Sequence, residues 1–172
     1  MNMKKILSLF LIAVTFLLAI FSTGCKKDEK IEYYNYGLHY KLPEEYRRIT
    51  QTYSEFIYYN GEAYFYFNTL SQEQLVENGY DIGISVYDYA FEFAALNGVS
   101  SPITYDPESK TAVIEHVYAP NEEMGWNDST FFYWYFLRGS QLMYTVTLSG
   151  DGDKAEKYKP VFEEFVKDIK AD

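Results

Sequence analysis

The chain predicts an α+β fold in one domain, an antiparallel sheet of hairpins sandwiched by helices. Three observations lead there. Asn60-Gly61 and Gly139-Ser140 each separate two β-prone runs, the mark of a hairpin. The runs 130–137 and 142–149 are apolar or aromatic on both faces, so both faces call for a cover. The final stretch repeats apolar residues at spacings of three and four, the period of a helix packed on one side. At 172 residues and 48% hydrophobic content, one core of ordinary size is expected.

Taken in order, Gly37–Leu42 reads as a strand ended by Pro43, and 44–48 as a polar connection. Glu55–Tyr59 and Glu62–Asn68 flank Asn60-Gly61. A type I′ turn there would pair Ile57 with Tyr64 and Phe56 with Phe65. Ala63, Phe65 and Phe67 then share one face, and Tyr64, Tyr66 and Asn68 the other. Ser71–Asn78 carries a capping box, Ser71 with Gln74, and Gly79 stops it. Ser85 with Asp88 caps Val86–Leu96, which is apolar almost all round and so reads as buried, with Asn97-Gly98 as its stop.

Thr111–Tyr118 reads as a strand and 119–128 as a polar loop. Gly139-Ser140 fits a type II′ turn, which wants Gly first. That pairs Leu137 with Leu142, Tyr135 with Tyr144, Tyr133 with Val146 and Phe131 with Leu148. From about Asp153 to Ile169 runs a helix with Asp153 as cap, in which Pro160 predicts a kink or a fresh start.

The N-terminus has a different logic. Lys4 and Lys5 precede 16 uncharged residues, Ile6–Phe21, and then Ser22-Thr23-Gly24-Cys25. A charged start, an apolar middle and small residues at the end form the layout of an export signal. The run is short of the roughly 20 residues a membrane span needs. The placement of Cys25, the chain's single cysteine, resembles the lipobox of bacterial lipoproteins. Thr23 and Gly24 fit the pattern, while Ser22 stands where Leu is commonest. The resemblance implies a diacylglyceryl group on Cys25, cleavage before it and palmitate-type acylation, with residues 1–24 as signal peptide. Two acyl chains anchor stably where one is marginal. Residues 25–35 then form the lipidated Cys and short tether, and 36–172 the domain. Lys26–Glu32 reaches at most about 25 Å when extended, which keeps the domain near the bilayer.

Charge excludes other partners. The chain is at −10, and −12 without its first 24 residues, so nucleic acid is expected to be repelled. Anionic headgroups repel it too, which leaves the lipid as the means of attachment to the membrane.

The order of elements resembles the PsbP-like α/β/α sandwich found in small bacterial lipoproteins. The residues that carry it are Tyr36-Gly37-Leu38-His39-Tyr40-Lys41-Leu42-Pro43, Arg138-Gly139-Ser140 with Tyr144-Thr145-Val146-Thr147-Leu148, and Lys157–Phe165. The resemblance spans about 36–170 and is one of pattern. It implies protein binding or no assigned activity, and it brings no catalytic residues.

Catalytic motifs are scarce. No Gly-x-Ser-x-Gly elbow and no glycine-rich phosphate loop occurs. His39 and His116, the two histidines, lie in expected strands, where either can act as a base for a serine or simply bond a neighbour. Asp151-Gly152-Asp153 begins like a calcium loop but lacks the later ligand and glycine, so no metal and no cofactor is expected. Glu44-Glu45, Glu122-Glu123 and Glu163-Glu164 are sequence neighbours that point apart.

What stands out is 20% aromatic content, 19 tyrosines among it. Tyrosine offers a stacking face and a polar tip, suited to protein or sugar surfaces, although strands favour it anyway. Tyr58, Tyr59, Tyr64 and Tyr66 on the first hairpin and Trp126 in the 119–128 loop are the candidate ligand-binding residues. The expected function is a membrane-anchored extracytoplasmic lipoprotein acting as a non-catalytic binding or assembly module, with a protein, peptide or glycan partner. The alternative is a cell-envelope hydrolase whose carboxylate or His site is assembled from scattered residues.

Overall fold

Strands dominate the computed structural model, which describes residues 30–52, 55–121 and 128–172. Cys25 and Trp126 lie outside the described residues. The strands are β1 (Lys30–Asn35), β2 (Leu38–Pro43), β3 (Arg47–Gln51), β4 (Glu55–Tyr59), β5 (Ala63–Ser71), β6 (Ile103–Asp106), β7 (Thr111–Tyr118), β8 (Thr130–Arg138), β9 (Leu142–Asp151) and β10 (Lys170–Ala171). The helices are α1 (Gln72–Glu77), α2 (Val86–Leu96) and α3 (Ala155–Asp168). Seven strands form one antiparallel sheet in the order β3-β4-β5-β9-β8-β7-β6, and β1-β2-β10 form a small second sheet.

One face of the large sheet buries Phe56, Phe65, Phe67, Tyr133, Val146 and Leu148. Over it lie α3, through Tyr158, Phe162 and Phe165, and the β2 side chains Leu38, Tyr40 and Leu42. The rings interlock: Tyr40 stands 4.4 Å from Phe67, and Phe65 4.7 Å from Phe165, centre to centre. Such pairs add to the area they bury. The other face carries Ala112, Ile114, Trp134, Phe136 and Met143, covered by α2 and by Leu75 of α1.

Both hairpins form where the sequence puts them, with the pairing moved by two residues. Ile57 pairs with Tyr66 and Phe56 with Phe67; Leu137 pairs with Tyr144, Tyr135 with Val146 and Tyr133 with Leu148. In the first, Asn60 N–H donates to the Ala63 carbonyl at 3.3 Å, so Gly61-Glu62 is the turn. Gly61 has φ +97°, the positive angle a type II′ turn needs at its first position. Asn60 instead accepts from the N–H groups of Glu62 and Ala63 through its side chain. In the second, Gly139 bonds Leu142 and the turn is Ser140-Gln141. Gly139 is there for space: a Cβ would sit 2.6 Å from the Asp172 carbonyl oxygen. A shift of two keeps every side chain on its expected face.

Other expectations change more. Arg47 and Arg48, read as the end of a polar connection over 44–48, begin edge strand β3 (Arg47–Gln51), and Lys30–Asn35, read as tether, is β1. Asp153 does not cap α3; a 3-10 turn, Gly152–Lys154, leads into the helix, which continues through Pro160. The helix cover is also incomplete. α2 is apolar almost all round, only Asp88 and Glu92 being charged, yet leaves Phe91 59% and Leu96 77% exposed.

Candidate functional site: an aromatic groove beside the open half of the sheet

Because α2 lies over β6, β7 and β8 and α1 over β5, the second face is covered at one end only. At the boundary lies a groove of about 610 Å³, within the roughly 300–1,000 Å³ of ligand pockets. Its floor is the sheet: Ile57 of β4, Tyr66 and Asn68 of β5, Thr145 and Thr147 of β9, and Phe132 and Trp134 of β8. Its wall is Tyr89, Phe93 and Leu96 of α2, with Asn97 beyond, and Asn78 and Tyr80 after α1. Phe132 and Trp134 stack at 5.2 Å with their planes 10° apart, and Phe93 meets Trp134 edge-on at 5.4 Å. Tyr80 packs on Tyr89 at 5.1 Å.

The polar groups are fixed by local structure. Asn78 and Asn97 each donate a side-chain N–H to a carbonyl of the preceding helix, Gln74 at 2.6 Å and Phe93 at 2.8 Å. This orients both carboxamide oxygens as acceptors. Asn68 donates to Glu55 at 3.3 Å. Tyr89 and Thr145 hydroxyls meet at 3.5 Å on the floor. Burial pushes the hydroxyls of Tyr66, Tyr80 and Tyr89 above the ordinary tyrosine range, so they stay neutral at physiological pH. A surface of rings with neutral polar tips and one carboxylate, Glu55, offers stacking faces and hydrogen-bonding groups.

Among the residues singled out from sequence, Tyr66 lines the groove and is 38% exposed. Tyr64 lies 5.7 Å from it, and Tyr59 stacks on Tyr64 at 4.3 Å, a ladder leading from the hairpin turn to the groove. Tyr58 belongs elsewhere. It points to the opposite face, is fully buried, and bonds Tyr40 at 2.8 Å and Arg48 at 2.9 Å. Arg48 also lies over its ring at 5.4 Å. That cluster fastens the small sheet to the large one, and Tyr58 within it presents no surface to a ligand.

Sequence reasoning missed the α2 wall, because a helix apolar almost all round reads as core. The available signal was the Asn at both helix ends, Asn78 and Asn97, beside Tyr80 and Leu96.

The histidines lie outside the groove lining. His39 is 3.4 Å from the Asp172 carboxylate. His116 Nδ1 is 2.8 Å from Ser101 Oγ, the spacing of a base and a nucleophile, and its ring packs on Tyr118. Among the described residues no group of three His, Cys, Asp or Glu side chains can hold a metal.

No protein-family model matches the chain, and no curated protein matches it. Solved structures do. The Ran-binding protein Mog1p of Saccharomyces cerevisiae is 8% identical, covers 84% of this chain and 96% of its own, and superposes with a TM-score of 0.58. Cyanobacterial PsbP (CyanoP) from Synechocystis is 8% identical over 87% of this chain and 96% of its own, at 0.57. A Bacteroides thetaiotaomicron protein is 11% identical over 85% of this chain and 49% of its own, at 0.52. The chain therefore has the α+β fold shared by PsbP and Mog1, in one domain.

Proposed function

We propose that the protein is a lipid-anchored extracytoplasmic binding module that holds its ligand in the groove beside Tyr66. The observation that carries the binding reading is the groove itself, an aromatic and amide-lined recess where the helices stop short of the sheet edge. The fold gives weaker support of the same kind, since one neighbour is named a Ran-binding protein. The anchor rests on the sequence, a charged start, 16 uncharged residues and Cys25 behind small residues.

Pull-down from envelope extracts beside a glycan array, each repeated with Tyr66→Ala and Trp126→Ala, tests the site. Capture lost in Tyr66→Ala supports the groove; capture unchanged there rejects it. Cys25→Ala should release the protein from membranes, and mass spectrometry finding an unmodified Cys25 in the native protein rejects the anchor. The hydrolase reading draws on the contact between Ser101 and His116. A hydrolase activity that vanishes in both Ser101→Ala and His116→Ala would replace the binding reading.

A further inference from the structure

The groove's charge narrows its ligand. From Ile49 to Ser109 the chain has no Lys, Arg or His and nine acids, Glu55, Glu62, Glu73, Glu77, Asp81, Asp88, Glu92, Asp106 and Glu108. That stretch carries nine of the ten excess negative charges of the whole chain. It folds into β4, β5, α1, α2 and β6, and so supplies the wall of the groove and half its floor. The rest of the floor, from β8 and β9, is uncharged. No residue of the lining is cationic, and Glu55 is anionic.

We infer that the groove takes a positively charged, extended protein segment, seating a Lys or Arg side chain against Glu55 and the rings. This rests on the binding reading above. Three physical terms agree. An ammonium or guanidinium is drawn to the face of an aromatic ring, and Tyr66 and Tyr80 present partly exposed rings. With their side-chain N–H groups engaged by Gln74 and Phe93, Asn78 and Asn97 bring carboxamide oxygens to the lining as acceptors, which suit N–H donors. Glu55 in the lining, with Glu92 close enough to act on the Tyr80 hydroxyl, raises the local concentration of a cationic partner and disfavours phosphates and carboxylates. Leu96, 77% exposed at the rim, gives the aliphatic stem of such a side chain an apolar landing.

The test uses the full chain in a neutral detergent and fluorescence anisotropy. The probes are three labelled decapeptides, alternating Lys-Ser, Glu-Ser and Gly-Ser, and a neutral N-acetylglucosamine hexamer. The Lys peptide should bind and the Glu peptide should not. Its affinity should fall about tenfold between roughly 50 and 500 mM NaCl, as a screened charge interaction does. Tyr66→Ala should weaken it about tenfold and Glu55→Gln about threefold, losses in the range of a cation–π contact and an exposed ion pair. Leu96→Asn, an exposed change that leaves the core intact, should weaken it as well. Glu108→Gln, outside the groove lining, should leave it unchanged. If Glu108→Gln matches Glu55→Gln while Tyr66→Ala does nothing, the peptide senses only net charge and the inference fails. If the sugar hexamer binds and is lost in Tyr66→Ala while the Lys peptide is not, the groove stands as a binding site and the cationic ligand is wrong. If neither probe responds to Tyr66→Ala, both readings fall.

Discussion

Gly139 and Gly61 flank or form turns, yet each is needed for a different reason. At Gly139 the constraint is contact. The C-terminal backbone passes so close that a Cβ would meet the Asp172 oxygen at 2.6 Å and the Tyr144 ring at 3.2 Å. Ser140 N–H donates to that same oxygen. Gly139→Ala should therefore cost about 1–3 kcal/mol as an overpacked site. Removing residues 170–172 should relieve most of that cost, leaving only the Tyr144 contact, which a denaturant double-mutant cycle reads directly. At Gly61 nothing lies within 4 Å of a Cβ, and only the φ of +97° resists a side chain. Gly61→Ala should cost about 1–3 kcal/mol from backbone strain, and the C-terminal deletion should leave that cost unchanged.

Elements depend on their ends. The α1 capping box is complete: Ser71 Oγ accepts from Gln74 N–H at 3.2 Å, and Gln74 Oε1 accepts from Ser71 N–H at 2.9 Å. Ser71→Ala should cost about 0.5–2 kcal/mol. Protection of the 72–80 amides in hydrogen exchange should fall more than protection of β8 or β9, since α1 has only six residues. The first hairpin turn is tied to α3 by Glu62, which bonds Lys157 and, at 2.9 Å, the Tyr158 hydroxyl. The Lys157 bond, then the Tyr158 bond, holds the Glu62 carboxyl below its ordinary range. A carboxyl with a lowered folded value stabilises above its unfolded value, about 4.3, and loses that contribution as pH falls through the folded one. Thermal melts of Glu62→Gln should accordingly be less pH-sensitive below about pH 4.5 than those of the parent.

Over the whole molecule, eight of the tyrosines are buried in the core. Burial is the first cause that pushes the hydroxyls of Tyr40 and Tyr46 far up and that of Tyr133 up to about 12. The folded state keeps these protons where an unfolded tyrosine, at about pH 10, has lost them. Stability from this source is thus full below about pH 10 and declines as pH rises through the folded values. The tyrosinate absorbance that belongs to the buried rings should rise in a step that coincides with loss of circular dichroism. A smooth titration of all 19 tyrosines without unfolding would contradict the buried positions.

The same aromatic content read from the sequence is divided by the fold between the core under α3 and the groove beside Tyr66. Local pattern determined the two hairpins, the caps at Ser71 and Ser85, the extent of Val86–Leu96 and the face of each strand residue. Those features are set by neighbours within a few positions, and a two-residue slip in pairing leaves them intact. Only the tertiary structure decided the turn residues, the strands β1, β3, β6 and β10, and the groove. Arg47–Gln51 is exposed at all five positions and β10 has two residues, so neither carries a hydrophobic period; each exists because its backbone pairs with a strand already in place. Tyr66 and Phe93 meet at one groove for the same reason. Nothing in either stretch records how far α2 reaches across the sheet, because that distance is set by the packing of α2 on β7 and β8, residues distant in the chain.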